Sequence, residues 1–489
     1  MSETKQDLVR GVVWSAVEKY SSMATNLVIS MILARLLSPE DYGVVAIAMV
    51  IIFFLQIFCS MGIAPAIIQK KELSDVDIDN IYSFTIYLGL VFAVMFFMSS
   101  YIIANIYNNN LLIPVCQLLS IQVFFSAANM VPNALMLKNK KFKEIARRTV
   151  TLQIITGILS VLAALYSLGV FSLLISPVLS AIGIFLWNRT YYHVRFVLLF
   201  SKDSIRKIFS YSAYQFMFEF VNYFSRNLDK LLIGKYLSVS ALGYYEKSYR
   251  LMQMPLNSLT SVVNPVLQPV LSEYQNNLAE LCCKYEKIIS FMAYFCFPTG
   301  VLLFISAEEI IIILFGKQWI PAIPAFEILS ISVPLQIILS TTGSIFQACN
   351  ATRNLFFVGL RNSLLTVAGF IIAIVLSGTI EAVAWGWTAT SFICFMSSFY
   401  EFYYKIFHSP IKGLLSILIP PLVIAIILVL IYLSTKQFLS DNIYISFSIK
   451  TISVIAITFI VFFFTGQFRI FKEIKRRKYE KSSSYNSNL

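Results

Sequence analysis

The sequence predicts an all-α polytopic membrane protein, with about fourteen transmembrane helices set as two pseudo-symmetric six-helix bundles plus two extra helices. Three observations predict it. The chain of 489 residues is 58% hydrophobic and only 13% charged, where soluble domains carry about 25% charge. Its apolar residues fall in runs of about 20 residues, long enough to cross a bilayer. Short sequence matches recur between the two halves at nearly one offset. The composition excludes a soluble enzyme.

The spans are expected near residues 12–37, 42–68, 81–106, 111–136, 149–168, 170–188, 209–235, 241–268, 286–306, 322–349, 355–377, 380–403, 413–433 and 444–466. The fifth and sixth touch across Ser167-Leu168-Gly169, which predicts a tight antiparallel pair. No cleaved signal is expected, because the first apolar run is interrupted by Glu18-Lys19 and lacks a small-residue cleavage pattern. Loop charges orient the chain. With the N-terminus in the cytoplasm, the inside loops hold Lys70 and Lys71, the run from Lys138 to Arg148, the run from Arg189 to Lys207, then Lys284, Lys287, Arg353, Lys405, Lys412 and the basic tail. The outside loops hold little beyond Lys235, Lys317 and Lys436. That asymmetry places both termini inside. It also absorbs most of the net charge of +13, so KNKKFKEIARR and KEIKRRK read as anchors on an anionic membrane surface rather than as a nucleic-acid site. The segment 189–208 mixes apolar and basic residues and reads as an interfacial helix joining the halves. The tail KSSSYNSNL reads as disordered.

The repeat is visible in the residues. LLSPEDYG (Leu36 to Gly43) returns two hundred positions later as YLSVSALG (Tyr236 to Gly243), keeping Leu37, Ser38 and Gly43 as Leu237, Ser238 and Gly243. Pro65 returns as Pro265, and IPVCQLLSI (Ile113 to Ile121) as IPAFEILSI (Ile323 to Ile331). An offset of six spans keeps both halves in one orientation and puts a site between them. The expected division is a first bundle over 1–198, a second over 199–410, two additional helices over 411–470 and a basic cytoplasmic tail over 471–489.

Three stretches carry a family resemblance: RNLDKLLIGKYLSVSALGYYEKSYRLMQMP (Arg226 to Pro255), LARLLSPEDYGVVAIA (Leu33 to Ala48) and ILFGKQWIPAIPAFEILS (Ile313 to Ser330). They resemble the polysaccharide-transport branch of the multidrug/oligosaccharidyl-lipid/polysaccharide (MOP) exporter superfamily, nearest the Wzx-type flippases of the colanic-acid and teichuronic-acid exporter group. The likeness runs from about Leu8 to Phe471. It implies alternating access by a V-shaped pair of bundles in a bacterial inner membrane. The implied substrate is an undecaprenyl-pyrophosphate-linked oligosaccharide moved to the outer leaflet, with polysaccharide polymerase machinery as a possible partner.

The stretch from Tyr211 to Gln268 holds the candidate site. A central charge costs an inserting helix about 2.5–3.5 kcal/mol, so charged spans should face a cavity or a protein partner. On the seventh span, Gln215, Glu219, Asn222, Arg226, Asp229 and Lys230 fall within roughly 60° of one line at about 100° per residue. On the eighth, Glu246, Arg250, Gln253, Asn257, Thr260, Ser261, Asn264 and Gln268 do the same. Trp14, Glu18, Ser21, Ser22 and Thr25 make a shorter stripe on the first. Arg226, Lys230 and Arg250, with Asn222, Gln253 and Asn257, are the substrate-binding candidates, the cations suiting a pyrophosphate or acidic sugars. Asp229 and Glu246 read as structural ion-pair partners, since Arg226–Asp229 are spaced i, i+3 and Glu246–Arg250 i, i+4; the cations then serve only to neutralise them. Glu219 has no evident partner on its helix and is the first candidate for coupling to a proton or cation, with Glu18 and Glu327 as weaker ones. A pair with Lys19 or another helix is the competing reading of Glu219. Pro65, Pro255, Pro265 and Pro269 can kink their spans. Tyr244, Tyr245 and Tyr249 read as an interfacial belt, and GKQW (Gly316 to Trp319) as a cap on the ninth span.

Other functions fit less well. A drug or organic-cation exporter of the same fold calls for an acidic cavity, and a peptidoglycan-precursor flippase resembles the chain less. A membrane polymerase or glycosyltransferase needs an extramembrane domain and a catalytic constellation, and the sequence offers neither. No cofactor or metal is expected: the cysteines lack CxxC spacing, and the two histidines, His193 and His408, are far apart in sequence.

Overall fold

The computed structural model describes residues 3–60, 62–70, 72–206, 223, 226–438 and 441–464. All its regular elements are helical among those residues. In order they are α1 (Glu3–Leu36), α2 (Pro39–Ser60), α3 (Ile63–Gln69), α4 (Asp75–Tyr107), α5 (Leu112–Ala128), α6 (Met130–Lys138), α7 (Phe142–Leu165) and α8 (Phe171–Tyr191). Residues 226–236 form α9. Then come α10 (Val239–Ser272), α11 (Leu278–Ile305), α12 (Ala307–Phe315), α13 (Ile323–Leu339), α14 (Thr342–Ala348), α15 (Thr352–Ser377), α16 (Ile380–Phe402), α17 (Lys412–Thr435) and α18 (Ile443–Phe464). Most of the span expected at 209–235 lies outside the described residues, as do the tail segments KEIKRRK and KSSSYNSNL. Every other expected span coincides with one helix or a broken pair. Among the described residues, nine helical segments are apolar and long enough to cross a membrane, or ten with the pair α5–α6, which bends by 40° at Asn129.

The chemistry of α4 shows which solvent the protein faces. Its buried side carries Ser83, Thr85, Gly89, Ala93 and Ser100. Its exposed side carries Leu90, Val91, Val94, Met95, Phe97, Met98 and Ile102. A water-soluble helix has the reverse pattern. In lipid, apolar side chains gain nothing by turning inward, and small residues let helices approach closely. At Gly89 an added Cβ would lie 2.6 Å from the Cβ of Ala127 on α5. The chain is a multi-pass membrane protein.

By packing, the chain divides into two compact units. The first holds Met1–Glu246, Phe315–Trp319 and Ile374–Ile380; the second holds Lys247–Leu314, Ile320–Ala373 and Glu381–Leu489. In the first, α1 packs on α7, α4 on α5, and α7 on α8 across the turn at Ser167 and Gly169, both with positive φ. Asn129, where α5 breaks from α6, accepts from the Asn188 amide at 2.8 Å. Asn188 and Asn133 in turn accept from Arg148, which is 5% exposed. In the second unit α11 is central, packing against α13, α17 and α18.

One expectation fails in the first unit. The segment after α8 is not an interfacial helix: residues 192–201 are an extended strap, and helix resumes only at 202. Side chains of α4 claim its backbone. Asp79 accepts from Arg195 N at 2.9 Å, Ser83 from Val197 N at 2.8 Å and Asn80 from Ser201 N at 3.1 Å. Asp77, which caps α4 with Ser74, also accepts from the Ser204 hydroxyl at 2.8 Å. Each such bond competes with a helical one, and its partner lies over a hundred residues away in sequence.

Candidate functional site

The site begins at a turn that the repeat uses twice. Ser38 precedes α2, and its hydroxyl accepts from Asp41 N at 3.2 Å; Ser238 precedes α10 and accepts from Ala241 N at 3.0 Å. Both serines satisfy an orphan N–H of a first helical turn. The two glycines then face each other's helix. A Cβ on Gly43 would lie 1.9 Å from the Val239 carbonyl oxygen, and a Cβ on Gly243 1.9 Å from that of Pro39. The start of α2 and the start of α10 cross reciprocally at a distance only glycine permits.

GKQW joins this crossing. Gly316, at φ +97°, ends α12. The rest of the motif does not cap the ninth span as expected: Trp319 Nε1 donates to Ala34 O at 2.8 Å, and the Gln318 amide donates to Ala34 O and Leu37 O. These carbonyls, in and just after the last turn of α1, lack helical partners of their own. The buried Trp319 ring meets Tyr42 and Tyr244 edge-on, with centroids 5.4 and 5.9 Å apart.

Below the crossing, α9 and the start of α10 bring Asp229, Lys230 and Glu246 together. Asp229 is fully buried; it accepts from the Tyr245 hydroxyl at 2.9 Å and from Lys230 N at 2.8 Å. Lys230 Nζ lies 2.9 Å from Glu246 Oε2, with both side chains largely buried. The partners thus differ from those that spacing suggests: Lys230 takes Glu246, and Tyr245 takes Asp229. Tyr245 is buried and Tyr249 nearly so, its ring 5.4 Å from Trp387. The tyrosines therefore pack inside the protein instead of forming a belt, because Asp229 gives the Tyr245 hydroxyl a partner without water.

Arg226 is exposed and makes no ion pair among the described residues. In the second unit, α10 continues unbroken through Pro255, Pro265 and Pro269. Its Arg250 and Asn257 are exposed and Gln253 half-buried, one stripe at i, i+3 and i+7. Glu219, Asn222 and Gln215 lie outside the described residues. Glu18 is half-buried on α1, and its charge acts on the buried Arg148. Glu327 is half-buried on α13, in the field of Lys436, Glu308 and Lys450.

Two charge clusters among the described residues escaped the sequence reading, one buried and one partly exposed, both in the second unit. Lys450 on α18 donates to Glu309 on α12 and, at 2.8 Å, to Ile305 O, with its ammonium 4.8 Å from the Tyr432 ring centre. Ser446 also donates to Glu309, at 2.7 Å. On α15 and α16, Arg361 pairs with Glu401 at 2.7 Å, and Lys405 shares that carboxylate at 3.1 Å. The available signal was a lone charge inside an apolar run, as in ISFSIKTISV and FFVGLRNSLL.

Comparison with known proteins places this architecture. A family model described as "Polysaccharide biosynthesis protein" matches residues 32–324. The teichuronic acid biosynthesis protein TuaB of Bacillus subtilis (strain 168) is 24% identical over 403 residues, 81% of this chain and 82% of its own. The lipopolysaccharide biosynthesis protein WzxC of Escherichia coli (strain K12) is 26% identical over 348 residues, 70% of each chain. Among solved structures, the lipid II flippase MurJ in an inward closed conformation superposes with a TM-score of 0.74 at 16% identity, covering 93% of this chain and 99% of its own. That likeness establishes a shared fold. The relatives bear out the resemblance read from the three sequence stretches.

Proposed function

This chain belongs to the polysaccharide biosynthesis protein family, and we propose that it is a flippase: it moves an undecaprenyl-pyrophosphate-linked oligosaccharide across a bacterial inner membrane by alternating access, with both termini cytoplasmic. It is a transporter and not an enzyme, and polysaccharide polymerase machinery receives its product. The division into bundles over 1–198 and 199–410, with additional helices over 411–470, belongs to the same proposal. The reciprocal crossing of Gly43 and Gly243 supports a two-fold repeat.

One observation carries the site assignment. Lys230, Asp229 and Glu246 are committed to one another or to Tyr245, whereas Arg226 and Arg250 are exposed. Lys230 thus positions the hairpin, and Arg226 and Arg250, with Asn222, Gln253 and Asn257, are the groups for pyrophosphate or acidic sugars. A guanidinium binds such oxygens through two parallel N–H bonds. The test is leaflet reorientation of a labelled undecaprenyl-pyrophosphate sugar in proteoliposomes. The wild-type protein is expected to move it, and Arg226→Gln and Arg250→Gln to abolish movement at normal expression. Movement at the wild-type rate in both variants overturns the site, and none by the wild type under any ion gradient or potential overturns the function. In the same assay Glu219→Gln is expected to lose the pH or ion dependence of transport; full retention removes Glu219 from coupling, leaving Glu18 and Glu327.

A further inference from the structure

The strap after α8 turns back on itself, and its hydrogen bonds locate the turn. Arg195 N donates to Asp79, Val197 N donates to Ser83, and Leu198 O accepts from the Tyr87 hydroxyl at 3.0 Å. Those three partners share one face of α4 at i, i+4 and i+8. The chain then reverses: Ser201 N donates to Asn80, and the Ser204 hydroxyl donates to Asp77. The strap therefore climbs about 12 Å along α4, the rise from Asp79 to Tyr87 at about 1.5 Å per residue, and descends again. Leu198 and Leu199 form the tip, 75% and 91% exposed.

Depth, backbone chemistry and charge together say what surrounds that tip. Leu90 and Val91, three and four residues beyond Tyr87 on the same helix face, are exposed and belong to the lipid-facing side of α4. The tip thus ends where that side begins. Side chains of α4 supply partners to backbone groups on both limbs of the strap, which a lipid-facing segment outside a helix needs, because lipid supplies none. The rings of Phe196 and Phe200 stand against Tyr87, with centroids 5.4 and 5.9 Å away, and close the space beneath the tip. At the base of the limbs Arg195, Lys202 and Arg206 are exposed, with Asp203 the single acid between 195 and 206. An apolar tip beyond a basic base matches acyl chains lying under anionic headgroups.

We propose that the strap is a membrane anchor: Leu198 and Leu199 insert among acyl chains just below the headgroups, while Arg195, Lys202 and Arg206 stay at headgroup level. Ser83 and Tyr87 set the depth. The partner is bilayer lipid, and on the topology proposed above it belongs to the cytoplasmic leaflet.

Fluorescence quenching of the full chain in nanodiscs of phosphatidylcholine and phosphatidylglycerol tests this. It reads depth, not sidedness or transport, so its failure is separate from failure of the flippase reading. Cys283, the exposed cysteine among the seven, is first replaced by serine. Leu199→Cys then carries a bimane label. Val91→Cys serves as the reference for deep lipid, and Asn110→Cys, exposed in the turn after α4, as the reference for water. The quenchers are phosphatidylcholine with a nitroxide at chain carbon 5, the same lipid with the nitroxide at carbon 12, and aqueous iodide. At Leu199 the carbon-5 lipid is expected to quench at least about threefold more than iodide and more than the carbon-12 lipid. At Val91 the carbon-12 lipid should dominate, and at Asn110 iodide. Iodide quenching at Leu199 equal to that at Asn110 overturns the proposal, because the tip then stands in water. Quenching by none of the three overturns it as well, because protein then covers the tip.

Discussion

Alanine at Gly43 or Gly243 tests the crossing on which the repeat turns. Each added Cβ would sit 1.9 Å from a backbone carbonyl oxygen, and ordinary contact begins at 3.4 Å. The helices therefore have to part by about 1.5 Å, and no flexible side chain can yield instead, since the obstacle is backbone. Overpacking of this kind costs about 1–3 kcal/mol. Against it, alanine gains about 1 kcal/mol of helix propensity over glycine. That leaves a net cost of up to about 2 kcal/mol, and both variants should melt below the wild-type protein in detergent at one scan rate. Gly359 is the internal control: it lies within α15, and an added Cβ meets nothing within 4 Å. Gly359→Ala should hold or raise the melting temperature. Because Gly43 and Gly243 share one crossing, the double variant should lose less than the sum of the singles. If Gly43→Ala and Gly243→Ala melt at or above the wild type, the close approach does not exist.

Two further stability predictions rest on buried charges. Lys450→Met leaves Glu309 buried with only Ser446 as a donor among the described residues; it should cost about 3–5 kcal/mol, and adding Glu309→Gln should restore most of the lost melting temperature. Asn188→Leu removes one of the two amide acceptors of Arg148. Hydrogen bonds to a charged group contribute about 1.5–3 kcal/mol, so a clear drop in melting temperature is expected, and an unchanged value removes that network from the packing of α6, α7 and α8.

The sequence carried the helices and the repeat because both are local or periodic. Apolar runs of spanning length need no partner to be recognised. Ser38 and Ser238 recur because each caps the helix that follows it, and Gly43 and Gly243 because each lies under the other's helix start. Pairings were hidden for the opposite reason. Periodicity gives the face a residue occupies, but not what stands opposite. Arg226 and Asp229 share a stripe, yet the acid is claimed by Tyr245, sixteen residues on and across a turn. The extended strap after α8 has the composition of an amphipathic helix, and only the polar side chains of α4 pull it straight. Glu309 and Lys450 are 141 residues apart, so no periodicity along either helix connects them. The order of legibility follows the range of the interaction. Hydropathy reports the solvent, and caps and glycines report the next turn or a symmetric neighbour. Buried ion pairs report the assembled bundle, so Arg226 and Arg250 stand out as the proposed site residues only once Lys230, Asp229 and Glu246 are accounted for.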